Sequence, residues 1–120
     1  MPSPKTVLIT GCSSGIGYTT AVELKNRGHQ VIASARKAED VARLEQEGFT
    51  AIQLDLADSK SIKSAVKQAL EIGNKQIDVL FNNSGFGQPG AVEDLSRDAL
   101  RFQFETNVFG SFKVIRAILP

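Results

Sequence analysis

Between Thr10 and Gly17 the chain reads Thr-Gly-Cys-Ser-Ser-Gly-Ile-Gly, with three glycines and two serines packed into one short run. Placed between a strand and a helix, such a run turns the backbone abruptly. The first N–H groups of the helix are then unpaired and converge on one spot near the positive end of the helix dipole. A pyrophosphate fits there. Gly11 suits the tight turn, Gly15 lets phosphates approach the backbone with no Cβ in the way, and Gly17 lets the helix pack close on the sheet. Ser13 and Ser14 add hydroxyl donors, and Ile16 opens the helix between the last two glycines. The spacing is GxxxGxG rather than GxGxxG or the GxxxxGK[ST] of a phosphate-binding loop. No lysine follows Gly17, which argues against a kinase or ATPase.

Other chemistries are restricted by what is scarce. There is one histidine, His29, in Arg27-Gly28-His29-Gln30, with no nucleophile near it in sequence. It reads as a solvated loop residue, and a Ser-His-Asp or Cys-His hydrolase would have no other histidine to use. The single cysteine, Cys12, allows neither an intrachain disulfide nor a CxxC half-site, so no metal centre is expected and a reducing compartment is the default. Fourteen Lys and Arg balance thirteen Asp and Glu for a net charge of +1, with the signs interleaved, which is no nucleic-acid footprint. No apolar run exceeds three residues, so no membrane span is expected. Met1-Pro2-Ser3-Pro4 reads as a ragged lead-in rather than a targeting segment, and a cytoplasmic location is expected.

The elements that must position the glycine run follow from hydrophobic period. Lys5 to Thr10 reads as a strand and Gly15 to Arg27 as a helix, with Ile16, Thr20 and Leu24 on one side, small Gly17 and Ala21 where a strand could come close, and Gly28 at its C′ position. A second strand at Gln30 to Ala35, a helix at Ala38 to Glu47 stopping at Gly48, and a third strand at Phe49 to Leu54 repeat the cycle. Ser59 to Ile72 is a helix with Asp58 or Ser59 as N-cap, and Gln76 to Asn82 a fourth strand. Asn83 to Gly90 is a loop. Ser96 caps a last helical region, bent locally at Asn107 and Gly110. Strands alternating with helices make βαβ units, a parallel sheet covered on both faces, and the fold class is α/β. With 120 residues and 42% hydrophobic content, one domain is expected. Ligands in such sheets bind beyond the carboxyl ends of the strands.

The glycine run resembles the TGxxxGIG signature of the short-chain dehydrogenase/reductase superfamily. Further matches follow in the family's order: Asp55-Leu56 after the third strand, Asn82-Asn83-Ser84-Gly85 after the fourth, and Asn107 in the last helical region. The family usually has NNAG, so Ser84 departs from it. Gly85 to Gly110 is similar in wording to the branch that includes hydroxysteroid- and retinol-type reductases. The resemblance implies a Rossmann-like doubly wound sheet of order 3-2-1-4-5-6-7, of which this chain supplies 3-2-1-4. It also implies a small carbonyl or alcohol substrate, and a homodimer or homotetramer for the complete protein. By resemblance, Asp55 receives the adenine amino group with Leu56 beside it, Asn82, Ser84 and Gly85 lie along the ribose, and Asn107 holds a relay water.

Cofactor preference should be written at the end of the second strand, where an NAD enzyme places a carboxylate for the ribose hydroxyls. Here the chain has Ser34-Ala35-Arg36-Lys37. Arg36 offers a planar fork matched to the 2′-phosphate of NADP, with Lys37 as a second charge. Glu39 or Asp40 reaching the ribose is the alternative. NADP(H) is therefore the expected cofactor, with NAD(H) possible. The family's catalytic tyrosine, lysine and serine have no counterparts: the sole tyrosine, Tyr18, is followed four residues later by Val22, so no YxxxK pair exists. Asn107 is the one catalytic position matched. The expectation is the amino-terminal, cofactor-binding half of an NADP-dependent oxidoreductase, one incomplete domain over residues 1–120 that is inactive alone. A non-catalytic NADP-binding or regulatory module, or a decayed truncated product, are the competing readings.

Overall fold

A computed structural model describes residues 3–120; Met1 and Pro2 of the lead-in lie outside the described residues. Four strands, β1 (Thr6–Ile9), β2 (Gln30–Ala35), β3 (Thr50–Gln53) and β4 (Val79–Phe81), form one parallel sheet in the order β3-β2-β1-β4. Between them run α1 (Gly15–Asn26), α2 (Ala38–Gln46) and α3 (Ser59–Ile72). After β4 come a single 3-10 turn at Val92–Asp94, α4 (Arg97–Phe104), a wide π-helical stretch at Glu105–Gly110, and α5 (Ser111–Ile118).

Because strand side chains alternate, the sheet builds two cores. On one face Leu8, Ile32, Ile52 and Leu54 meet Ile62, Ala65, Val66 and Ala69 of α3 and Val114 of α5. On the other, Val7, Ile9, Val31, Ala33 and Ala35 meet Ala21 of α1, Leu44 of α2 and Phe49. The doubly wound α/β arrangement expected from the alternation is thus present as 3-2-1-4.

Local signals act where the sequence placed them. Gly28 and Gly48 take the left-handed conformation that ends α1 and α2, at φ +90° and +92°. Asp58 caps α3 by accepting from Lys60 N at 2.9 Å, and Ser96 caps α4 by accepting from Ala99 N at 3.0 Å.

Three details differ from the sequence reading. The fourth strand is shorter than Gln76 to Asn82. The Thr6 amide is taken by the Asp78 carboxylate at 2.8 Å instead of by a carbonyl of the neighbouring strand, which ends the ladder there. The buried side of α1 is set by Gly17 and Ala21, whereas Ile16 is 71% exposed, because the first helical turn projects past the strand ends. His29 is half-buried rather than solvated, its Nδ1 accepting from Lys5 N at 3.0 Å. The bend foreseen at Asn107 and Gly110 is the π-helical stretch itself. A Cβ on Gly110 would fall on the Leu56 carbonyl oxygen, so a bare backbone is what lets this stretch press on the end of β3.

Candidate functional site

A cleft of about 510 Å³ opens beyond the carboxyl ends of the strands. Each strand contributes to it: Gly11, Ser13 and Ser14 after β1, Ala35 and Arg36 at β2, Leu54, Asp55 and Leu56 after β3, and Asn83 to Phe86 after β4. Phe102 and Thr106 close it from the last helical region. The sheet edge where β1 has β2 on one side and β4 on the other is where the chain's strand order reverses, and an α/β sheet splits open at such a point.

The glycine loop is held by bonds that leave its ligand-facing side clear. Cys12 N donates to Ser34 O at 2.8 Å, while Ser34 Oγ and Cys12 Sγ both donate to Ile9 O, at 3.0 and 3.3 Å. Burial pushes the Cys12 thiol up to about 11, against a smaller lowering by its bond to Ser34, so it stays protonated and takes no part in chemistry. Gly11 and Gly15 sit at φ +71° and +64°. Nothing lies within 4 Å of a Cβ built on Gly15, while one on Gly17 would fall on the Gly11 carbonyl oxygen and within 2.6 Å of Asn83 Nδ2. Ser14, at the N-cap of α1, makes no side-chain capping bond, and no acidic residue occupies that first turn. The start of α1 therefore has no side-chain cap, unlike those of α3 and α4.

The end of β4 is tied to β1 through Thr10. This buried hydroxyl accepts from both Asn83 N and Ser84 N at 2.9 Å, and Asn83 Nδ2 donates to Gly11 O at 3.2 Å. Within the segment Asn82 to Gly85, Asn83 is the residue whose side chain bonds to the glycine loop. Asn82 is outside the cleft lining, its Oδ1 buried with no hydrogen-bond partner.

The remaining positions divide. Arg36 lines the cleft, and neither it nor Lys37, the exposed N-cap of α2, makes an ion pair among the described residues. Asp55 lines the cleft, accepts from Ala57 N through Oδ1 at 2.9 Å, closing a turn, and its backbone N donates to Ser61 Oγ; among the described residues Oδ2 has no bond. Asn107 is a clamp: Oδ1 accepts from Phe86 N at 3.0 Å and Nδ2 donates to Phe86 O at 2.7 Å. Gly85 sits under it, with a would-be Cβ 3.0 Å from Asn107 Oδ1. Sequence reasoning missed Thr10, Phe86, Phe102 and Thr106. Thr10 lay inside a quoted motif, and the others carry no motif signal. Among the described residues no cluster of His, Cys, Asp and Glu could hold a metal ion, and no helix is long and apolar enough to cross a membrane.

A parallel 3-2-1-4 sheet, helices on both faces and a glycine turn at the point of reversal define a Rossmann-like α/β protein. The chain belongs to the short-chain dehydrogenase family, whose model matches residues 5–120. It is 40% identical over 116 residues to the uncharacterized oxidoreductase YbbO of Escherichia coli (strain K12), covering 97% of this chain and 43% of YbbO. It is 38% identical over 128 residues to human retinol dehydrogenase 8, covering 98% of this chain and 40% of that one. Among solved structures, a short-chain dehydrogenase from Streptomyces avermitilis superposes with TM-score 0.90 at 37% identity, over 98% of this chain and 44% of its own. The F189W variant of actinorhodin polyketide ketoreductase, solved with NADPH, superposes with TM-score 0.85 at 30% identity, over 97% and 46%. The chain spans less than half the length of the curated relatives it matches.

Proposed function

We propose that residues 1–120 form the cofactor-binding half, one incomplete domain, of an NADP(H)-dependent oxidoreductase that interconverts a carbonyl and an alcohol. The observation that carries this reading is the cleft's composition at the end of β2: the Ala35 side chain offers no acceptor, and Arg36 lines the cleft without an ion pair among the described residues. A 2′-phosphate supplies the partner. The glycine loop fits the rest of the group, since the open space at Gly15 and the uncapped start of α1 together form an anion cradle.

A nicotinamide cofactor, when bound, would donate or accept the hydride. Ser13, Ser14 and the first amides of α1 hold the pyrophosphate, with Gly15, Ile16 and Gly17 shaping the surface it lies on. Arg36 and Lys37 hold the 2′-phosphate, and Asp55 with Leu56 borders the adenine. Asn83, Ser84 and Gly85 lie along the ribose, and Asn82 steadies the strand end behind them. Asn107 keeps the Phe86 segment in place. A carbonyl also needs a proton donor of suitable pKa, and residues 1–120 contain no YxxxK pair, so turnover requires residues outside them. The complete protein is a homodimer or homotetramer, and the buried free thiol of Cys12 accords with a cytoplasmic, reducing setting.

The test is Arg36→Ala in the protein as its gene encodes it, titrated with NADPH and with NADH by nucleotide fluorescence. Loss of charge-assisted bonds to phosphate weakens NADPH by about tenfold to a hundredfold, with NADH little changed. Equal losses for the two cofactors would defeat the reading.

A further inference from the structure

Arg43 lies on α2, outside every motif named above, and its guanidinium reaches across to the glycine loop. Nη2 donates to the Ser13 carbonyl at 2.7 Å. The same nitrogen is 3.4 Å from Asp40 Oδ1, and Nη1 is 3.9 Å from Glu47 Oε1. One planar cation thus joins the loop between two left-handed glycines to two carboxylates of the helix that follows Arg36 and Lys37.

We propose that Arg43 is a positioning residue that sets cofactor preference. The proposal rests on reading the cleft as an NADP(H) site. It has two physical parts. A peptide unit is planar and trans, so fixing the Ser13 carbonyl toward α2 fixes the opposed direction of the Ser14 N–H, one of the donors at the start of α1. The loop is anchored at Cys12 by β2 and at Ser13 by α2, and the left-handed residues Gly11 and Gly15 flank both anchors. The second part is electrostatic. Asp40 is one of the two acidic residues in the first turn of α2, just past the two cations that would face a 2′-phosphate. Pairing with Arg43 offsets its charge and keeps it out of the ribose-binding role that would favour NAD. Removing Arg43 loosens the loop for both cofactors and exposes the phosphate-bearing one to an unpaired carboxylate.

The experiment measures Kd for NADPH and NADH in the protein as its gene encodes it, for wild type, Arg43→Ala, Asp40→Asn and the double variant. Arg43→Ala is expected to weaken NADPH about tenfold and NADH about threefold or less, lowering the preference ratio. Adding Asp40→Asn to Arg43→Ala is expected to restore much of the ratio, because the carboxylate set free is then gone. A purely structural tether would weaken both cofactors equally and gain nothing from Asp40→Asn; either result overturns the proposal. A wild type with no preference for NADPH overturns the underlying reading as well, whereas a preference kept intact in Arg43→Ala overturns this inference alone. Should Arg43→Ala fail to fold, Arg43→Gln carries the same comparison, since it removes the charge that pairs with Asp40 while keeping an aliphatic stem on α2.

Discussion

Replacing Gly17 with alanine adds one methyl group, at a point where two loops and a helix meet. The new Cβ would fall on the Gly11 carbonyl oxygen, within 2.9 Å of Gly11 C and 2.6 Å of Asn83 Nδ2. Two of these three atoms are backbone, so relief comes only if α1 and the glycine loop move apart by about an ångström, against ordinary carbon contacts of about 3.5–4.0 Å. Such overpacking costs about 1–3 kcal/mol, and alanine's better helix propensity returns up to about 1 kcal/mol. A net loss of about 1–2 kcal/mol is expected, read as a lower urea midpoint at unchanged slope. The displaced loop also strains the 3.2 Å bond from Asn83 to Gly11, so cofactor affinity falls with stability. Gly15→Ala is the informative companion. It meets nothing within 4 Å, but its φ of +64° costs about 1–2 kcal/mol for a residue with a Cβ, and that Cβ occupies the side left open for phosphate. Gly15→Ala should lose binding out of proportion to stability, and Gly17→Ala should lose both. A Gly17→Ala protein with wild-type midpoint and wild-type Kd would refute the packing argument.

Other outcomes follow from single contacts. Asn107→Ala removes both bonds to the Phe86 backbone and should cost about 1–3 kcal/mol, with the Phe86 amide losing hydrogen-exchange protection before the strands do. Gly110→Ala drives a Cβ into the Leu56 carbonyl, with Leu56 Cβ at 2.7 Å, and should destabilise by about 2 kcal/mol or more, chiefly by detaching the π-helical stretch from the end of β3; a thermal melt reports it. Cys12 has its folded-state pKa raised from 9.0 to about 11. Stability tied to it is fully present below pH 9 and is lost as pH rises toward 11, where the unfolded chain ionises and the folded one does not. Denaturant midpoints across that window should fall in wild type and fall less in Cys12→Ala. Alkylation of the thiol should wait on unfolding.

Much of the fold could be read from the chain because its signals are local. Gly28, Gly48, Asp58 and Ser96 end or start helices through their own backbone and side-chain geometry, and those elements stand where their residues implied. The faces of α3 were legible for the same reason, since Ile62, Ala65, Val66 and Ala69 share one period and one core. What escaped depended on distant partners. Ile16 shares one side of α1 with Thr20 and Leu24 by spacing, yet it is largely exposed. Asn107 reads as a helix breaker or a water-holding group, and only the approach of the Phe86 loop, 21 positions earlier in the chain, makes it a clamp. Thr10 lay within a recognised motif but had no assigned task, because what it does with Asn83 is hold strand ends 72 to 74 residues apart in sequence.

Thr10 carries a consequence for how the sheet chooses its pairing. β4 has only three ladder partners, Val7, Leu8 and Ile9, all on β1. A slip by one residue would exchange the faces of Leu80 and Phe81, which pack into opposite cores. Few ladder bonds oppose such a slip, but the Thr10 hydroxyl accepts two successive amides and the Thr10 amide donates to Phe81 O at 3.1 Å. These three bonds act as a registration pin, satisfied together only when the edge strand docks in frame. Serine at this position would keep all three bonds, and valine would remove the two made by the hydroxyl. A Thr10→Val chain would then be prone to mispairing along an edge that, among the described residues, is bonded on one side only.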